Sequence, residues 1–348
     1  MKLLPHSNGV YKVNMRRKLK PNEIVKYVLI FITALILIGL IYQKTSDFVA
    51  RETLKSKVDY TRVNDKRLDY ILKGDGKYTV IFDGNLGGNL NQWTNITKEL
   101  NKSNADVSTF VYNRRGYGYS DSGSKITPEE QAKDLKILLR KAGAPEPYIL
   151  VGEEYGSLVL TNFAKLFPET IVGSVLINPI VEEEIKSEEY VKSNRIHKIR
   201  RKIEDIGSHI GFTSLLDAIK LDVKLEGFED KLKESQLEEF NVQRTKANYT
   251  SAVDNELRSL MEGESNSQNP GVFEGKPYYL IAKDGQEGLK NLGSEELTKI
   301  HKTTCISNFI SLEDEEATLI GIRDVIKEVN DIERKNKKIS ANNIGLKL

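Results

Sequence analysis

The stretch Val151-Gly152-Glu153-Glu154-Tyr155-Gly156-Ser157 constrains this chain more than any other. An apolar run, Tyr148-Ile149-Leu150, leads into it, and a second apolar run follows. Glycines stand at 152 and 156, with Glu154 midway between them. The expected unit is a strand followed by a helix.

The same alternation extends along the chain. Strand-like runs are Arg67–Leu72, Tyr78–Phe82, Ser108–Tyr112, Tyr148–Val151, Val172–Ile177, Tyr278–Ala282 and Thr303–Ser307. Helix-like segments lie between them, including Pro128–Ala142, Gly156–Phe167, Leu289–Lys299 and Ala317–Asn330. Pro128, Glu129 and Glu130 make a good helix start. Strands that are apolar throughout, rather than alternating, fit a mostly parallel sheet covered by helices on both faces, and so the α/β class. From Val181 to Asn269 no strand run occurs, and charged, amphipathic helical sequence such as Ser235–Leu260 takes over.

The N-terminal region has a different character. Lys2, Lys12, Arg16, Arg17, Lys18, Lys20 and Lys26 face a single acid, Glu23. Tyr27 to Tyr42 then runs without a charge. As a helix it covers about 24 Å, and Ile24 and Val25 extend it if Lys26 snorkels toward headgroups. A buried core helix would show a polar face, and this run has none. A cleaved signal peptide would end in a small-x-small site, and Gln43-Lys44-Thr45-Ser46-Asp47-Phe48 offers no good one. Residues 24–43 are therefore expected to be an uncleaved signal anchor whose partner is the lipid bilayer. The positive-inside rule puts the N-terminus in the cytoplasm and the remainder outside a single-pass cell membrane protein. A net charge of +2 gives no case for a nucleic-acid partner. Cys305 is the lone cysteine, which excludes an internal disulfide and a Cys-rich metal site. Its strand-like surroundings suggest a buried structural thiol.

Several motifs together resemble the α/β-hydrolase superfamily, most closely hydrolases with a helical cap, over roughly residues 60–330. Leu86-Gly87-Gly88, followed by Trp93, looks like the glycine-rich oxyanion loop. Tyr112-Asn113-Arg114-Arg115-Gly116-Tyr117-Gly118-Tyr119-Ser120 is similar to the family's Y-D-R-x-G-x-G-x-S, with Asn113 replacing Asp. Ala142-Gly143 and Val175-Leu176-Ile177-Asn178-Pro179 also fit. Gly152 to Gly156 then resembles the G-x-S-x-G nucleophile elbow, with Glu154 where the serine stands. Asn308-Phe309-Ile310-Ser311-Leu312-Glu313 looks like H-Y-I-H-L-D, which puts Asn308 at the histidine position. Asp284 is the best match for the acid; Asn178, at the other place families put one, is neutral.

The resemblance implies an α/β-hydrolase fold with an N-terminal transmembrane helix. Residues 1–23 read as a basic cytoplasmic tail, 24–43 as the membrane helix and 44–60 as a polar stalk. Residues 61–180 and 270–333 read as the two parts of the core, 181–269 as the cap, and 334–348 as a polar, basic, disordered tail.

The departures alter the chemistry. A serine hydrolase needs a hydroxyl, a base and oxyanion donors. Glu154 has no hydroxyl, and the Asn308 amide is neither a useful base nor an acid. Loss of both argues for loss of the activity. Relatives that open epoxides use Asp at the elbow, so Glu154 offers a carboxylate nucleophile, but its ester would lack a base to clear it. His6, His197, His209 and His301 are expected to be ordinary surface or cap residues, and Ser157 a packing residue. Glu154 lies at a helix N-terminus, which favours an anion. Asp83, Glu153, Glu154 and Asp284 at one sheet edge would make an acidic pocket for a cation such as calcium. The competing arrangement leaves them solvated or pairs them with Arg114, Arg115 or Lys283. Arg114 and Arg115 beside glycines make only a weak phosphate-loop match.

Two readings result. One is a non-catalytic pseudo-hydrolase that binds a small molecule or protein at the old active site, with Asp83, Leu86, Gly87, Gly88, Glu153 and Tyr155 around it. The other is an active hydrolase of small esters or epoxides with a site rearranged around Glu154 and Asp284. A purely structural surface protein whose cap makes contacts is a weaker third. Neither of the first two calls for a cofactor or a resident metal.

Overall fold

A computed structural model describes residues 20–53, 58–103, 106–218 and 224–345. The chain opens with a long helix, α1 (Pro21–Thr53), and a hairpin, β1 (Asp59–Val63) and β2 (Lys66–Lys73). Alternating elements follow: β3 (Tyr78–Asp83), α2 (Thr94–Lys102), β4 (Val107–Tyr112), α3 (Pro128–Ala142), β5 (Tyr148–Glu153), α4 (Tyr155–Leu166) and β6 (Ile171–Ile177). A helical insertion comes next, made of α5 (Glu182–Ile185), α6 (Glu188–Ser193), α7 (Arg195–His209), α8 (Phe212–Ala218), α9 (Glu234–Arg244) and α10 (Ala247–Met261). The chain then returns to the sheet with β7 (Tyr278–Ala282) and β8 (Thr298–Lys302) and closes with α11 (Ile310–Glu313) and α12 (Glu315–Gly345).

One sheet holds all eight strands, in the order β1-β2-β4-β3-β5-β6-β7-β8. β1, β2 and β4 pair antiparallel, and every other pairing is parallel. The central strands are buried on both faces, so their alternate residues feed two cores. Tyr148 and Leu150 of β5 pack with Leu135 of α3 and Phe163 of α4. Ile149 and Val151 pack on the opposite face with Trp93, Ile96 of α2 and Val325 of α12. α3 begins with a capping box between Thr127 and Glu130 and ends at Gly143, whose φ of 72° suits a left-handed cap.

The insertion is clasped where it leaves and re-enters the core. The buried Glu182 carboxylate accepts from Ser267 N–H at 2.8 Å, Gln268 N–H at 3.1 Å and the Ser265 and Ser267 hydroxyls. Ser267 Oγ also lies 2.8 Å from Thr161 Oγ1 of α4, tying the clasp to the core.

Several expectations need correction. The last strand is Thr298–Lys302, not Thr303–Ser307. It lies at the sheet edge and carries exposed charges, so it lacks an apolar run. Cys305 is half-buried in the segment after it rather than in a strand. Leu289–Lys299 is not a helix: short 3-10 turns at Glu287–Leu292 and Glu295–Leu297 flank Gly293. The polar stalk is helix to Thr53, and Asp59–Val63 is an edge strand. The tail after Glu333 continues α12 as helix to Gly345. The basic segment 1–19 lies outside the described residues.

Pro21–Ile41 of α1 is long and apolar enough to cross a membrane, with mean hydropathy 2.7, and only 6% of it is buried against the protein. Its contacts are with the insertion. A Cβ on Gly39 would come 2.8 Å from the Gly211 carbonyl oxygen, so the backbones of α1 and the α7–α8 junction touch.

Candidate active site

Glu154 sits between β5 and α4 with φ 51° and ψ −110°, a conformation that residues with side chains adopt only under constraint. Backbone bonds impose it. Glu154 N–H donates to Ile177 O at 3.1 Å, and Gly156 N–H donates to Gly84 O at 3.0 Å. A Cβ on Gly156 would fall 2.3 Å from Asp83 O, so only glycine lets α4 start against the end of β3.

The Glu154 side chain turns back onto its own turn. Oε2 accepts from the N–H of Leu86 at 2.7 Å and the N–H of Tyr155 at 2.8 Å. Leu86 lies in the loop after β3 and Tyr155 opens α4, so two separate segments aim donors at one oxygen. Burial raises the Glu154 pKa, opposed by these two bonds and by Arg114. Across from it is Tyr190 of α6, whose hydroxyl is pushed up to about 12 by burial and by the Glu154 charge.

The neighbouring acids do not share a pocket with it. Glu153 is fully buried at the end of β5. It accepts from Gln92 Nε2 at 2.6 Å, Ser311 N–H at 3.1 Å and the Ser311 hydroxyl. Burial pushes it up to about 7 despite those bonds. Asp83 accepts from Tyr112 Oη and from Arg114. Arg114 is buried and uses its whole guanidinium. It donates to Asp83, to Glu256 of α10 through Nε at 2.7 Å and Nη2 at 3.0 Å, and to the carbonyls of Gly84 and Asn85. The Tyr117 and Tyr155 rings flank it, each 4.9 Å from the guanidinium carbon. Asp284 is exposed. Of the two arrangements, the shared acidic pocket is not formed: the carboxylates turn to internal donors or to solvent, because each is cheaper to bury paired than beside its like. Arg115 is bound to Asp134, so neither arginine is held ready for a phosphate.

Asn308 lies at the same end of the sheet. Asn85 Nδ2 donates to its carbonyl at 2.6 Å, and Asn178 Nδ2 to the same oxygen at 3.4 Å. Its side chain is exposed, and Lys283 Nζ approaches its Oδ1 at 3.4 Å. No hydrogen bond joins it to Glu154. Gly87 donates to Tyr117 Oη at 3.1 Å and accepts from Tyr249 Oη at 2.9 Å, and Gly88 N–H closes a turn on Asn85 O. Ser157 Oγ donates to the Glu154 carbonyl. His197 and His209 lie on α7 and His301 on β8, and none hydrogen-bonds Glu154; His6 is outside the described residues.

Comparison with known proteins bears on this geometry. A family model described as alpha/beta hydrolase fold matches residues 79–195. An epoxide hydrolase, CorEH, superposes with a TM-score of 0.61 at 14% identity, covering 78% of this chain and 99% of its own. A Vigna radiata epoxide hydrolase gives 0.59 at 15%, over 79% and 100%. This chain has the α/β-hydrolase fold. Est816, titled an N-acyl homoserine lactone degrading enzyme, gives 0.56 at 14%, over 76% and 99%. The Bacillus subtilis protein YqjL is 27% identical over 149 residues, 42% of this chain. The alignment spans 57% of that relative's length.

In an α/β-hydrolase fold, the oxyanion donors are the N–H after the nucleophile and one from the loop after the third strand. Tyr155 and Leu86 hold those places, and both donate to Glu154 itself. Gln92, Ser311, Tyr117 and Glu256 complete the surroundings and were not foreseen. Gln92 stands one residue before the singled-out Trp93, and Tyr117 and Ser311 lie inside quoted motifs without having been given a role. Glu256 is 142 residues from Arg114 in a charged helix and carries no local hint.

Proposed function

We propose that this protein is a membrane-anchored, non-catalytic member of the α/β-hydrolase fold, a binding module rather than a hydrolase. The observation that carries the reading is the Glu154 carboxylate on the N–H groups of Leu86 and Tyr155. Two donors that elsewhere wait for charge to develop on a substrate oxygen are already satisfied by a carboxylate oxygen of the protein itself. An incoming carbonyl would have to displace it, and no hydroxyl stands ready to attack. Asn308, at the position resembling the histidine, faces solvent and Lys283, which is consistent with a lost base. α1 supports the anchor, with the N-terminus cytoplasmic and the sheet and insertion outside. Carbonate extraction should leave the full chain in the membrane pellet, and protease added outside intact cells should cut the exposed part. Release by carbonate would remove the anchor.

A second reading keeps the carboxylate as a nucleophile toward an epoxide, and likeness to two proteins titled epoxide hydrolases favours it. The bonds to Glu154 Oε2 oppose it, since they lower the nucleophilicity of that carboxylate. Turnover of ester and epoxide panels separates the two. The parent should show none beyond the Glu154→Ala variant. Turnover lost in Glu154→Ala would establish the second reading. A serine-directed phosphonate should label the double variant Glu154→Ser, Asn308→His and leave the parent unlabelled.

A further inference from the structure

A sizeable opening lies away from Glu154. A cavity of about 320 Å³ lies within the insertion, between α7 and α10, with Leu216, Leu225, Phe240 and Tyr249 among its walls. That volume falls in the range of ligand pockets, roughly 300–1,000 Å³. Its floor separates it from the elbow. Tyr249 Oη donates to Gly87 O, and the Leu225 side chain covers Gly87 so closely that a methyl there would meet it at 3.2 Å. Glu154 is not among its lining residues.

Its outer lip has an unusual surface for a protein in water. Ile196, Ile199, Ile203, Ile206 and Ile210 recur at helical spacing along α7, and their exposures are 77%, 53%, 58%, 57% and 38%. Ile196, Ile199 and Ile203 also line the cavity. A continuous exposed apolar stripe marks a contact surface. Its other faces carry Arg195, Lys198, Arg200, Arg201 and Lys202, the pattern of a helix lying at a membrane interface. The stripe ends where α7 meets α1. A Cβ on Gly39 would lie 3.2 Å from Ile210 O and 2.8 Å from Gly211 O. Gly39 is near the end of the membrane-length segment Pro21–Ile41, so the contact falls at the depth of the headgroups.

We propose that this cavity binds a single-chain membrane amphiphile with an anionic headgroup, which enters from the bilayer across the isoleucine stripe of α7. The assignment rests on the anchored reading of α1. The apolar walls take the chain. Arg200, Arg201 and Arg244 in the lining are balanced by Glu204, Glu229 and Asp217, so the anionic preference rests on the lip, where α7 carries Arg195, Lys198, Arg200, Arg201 and Lys202 against only Glu204 and Asp205. These arginines are already paired, Arg200 and Arg201 with Glu204 and Arg244 with Asp217, so the headgroup joins an existing ion-pair cluster. No covalent step is involved.

The test uses the full chain in phosphatidylcholine vesicles and a long-chain fatty acid carrying a diazirine and an alkyne tag. After photolysis, adducts are mapped by mass spectrometry. The expected result is saturable labelling of peptides from α7, α8 and α10, plus labelling of α1 by bulk lipid probe. Leu216→Trp, which fills the cavity, should lower cavity labelling about tenfold with α1 labelling unchanged. Ile199→Ser changes an exposed residue and leaves the fold intact, and it should lower cavity labelling in the same direction. Unlabelled fatty acid should compete, and an alkyltrimethylammonium of equal length should not. Labelled α1 with an unlabelled cavity would overturn the binding site and leave the anchor. Unlabelled α1 would overturn the anchor and the entry route. Labelling insensitive to both variants, or equal competition by both headgroups, would refute the assignment.

Discussion

The elbow and the insertion cavity lie on opposite sides of Gly87, and they differ in what fills them. At the elbow every charge meets an internal partner. Glu154 holds Leu86 and Tyr155, Glu153 holds Gln92 and Ser311, and Asp83 and Glu256 share Arg114. In the insertion the surface is apolar, open and continuous with an exposed stripe. The place where this fold usually does chemistry is self-satisfied, and the place with room for a ligand has been built elsewhere. A turn of this geometry can therefore aim two donors at an oxygen that belongs to the protein: at Glu154 both N–H groups are held by its own carboxylate.

The comparison breaks most severely at Arg114. Arg114→Met leaves Asp83 and Glu256 buried without a counter-charge, and it should cost about 3–5 kcal/mol in urea unfolding. A cost below about 1 kcal/mol would mean that the cluster is wet rather than internal. Glu182→Ala strands the Ser265, Ser267 and Gln268 donors, and it should cost about 2 kcal/mol and raise proteolysis of the insertion without cutting the sheet. Uniform proteolysis of core and insertion would mean that the clasp is not local.

Glu153 gives a pH signature. Its native pKa of about 7 lies above the ordinary 4.5, so the native state holds the proton more tightly than the unfolded chain. Its contribution is therefore full below pH 4.5 and is lost as pH rises through about 7, a decline of roughly 3 kcal/mol across that window. Glu153→Gln should flatten the stability profile between those pH values. A profile with unchanged slope would place the titration elsewhere. The smallest effect is expected from Glu154→Gln, which keeps an acceptor for Leu86 and Tyr155: a change in stability of about 1 kcal/mol or less, and no effect on lipid labelling in the cavity.

How much of this was legible in the sequence follows burial. β3, β5 and β7 are apolar on both faces, and their runs matched the strands closely. β1 and β8 lie at the edges, with polar residues such as Arg62 and Lys299 among them, so the first two residues of one were read as stalk and the other was displaced to Thr303–Ser307. The elbow was readable because two glycines are required locally. The Glu256–Arg114 pair was not, because it joins residues far apart in sequence and depends on how α10 docks. The isoleucine stripe of α7 was not picked out, because it is interleaved with Lys and Arg and its exposure reverses the usual rule that the apolar face goes inward, which only the packing of α1 and α10 reveals.

The central claim is that the Glu154 carboxylate occupies the two elbow donors, and amide hydrogen exchange reads it directly. In the parent, the Leu86 and Tyr155 N–H groups should be protected, and in Glu154→Ala both should exchange faster while the N–H of Gly156, bound to Gly84 O, stays protected. Unchanged exchange at Leu86 and Tyr155 in that variant would contradict the account.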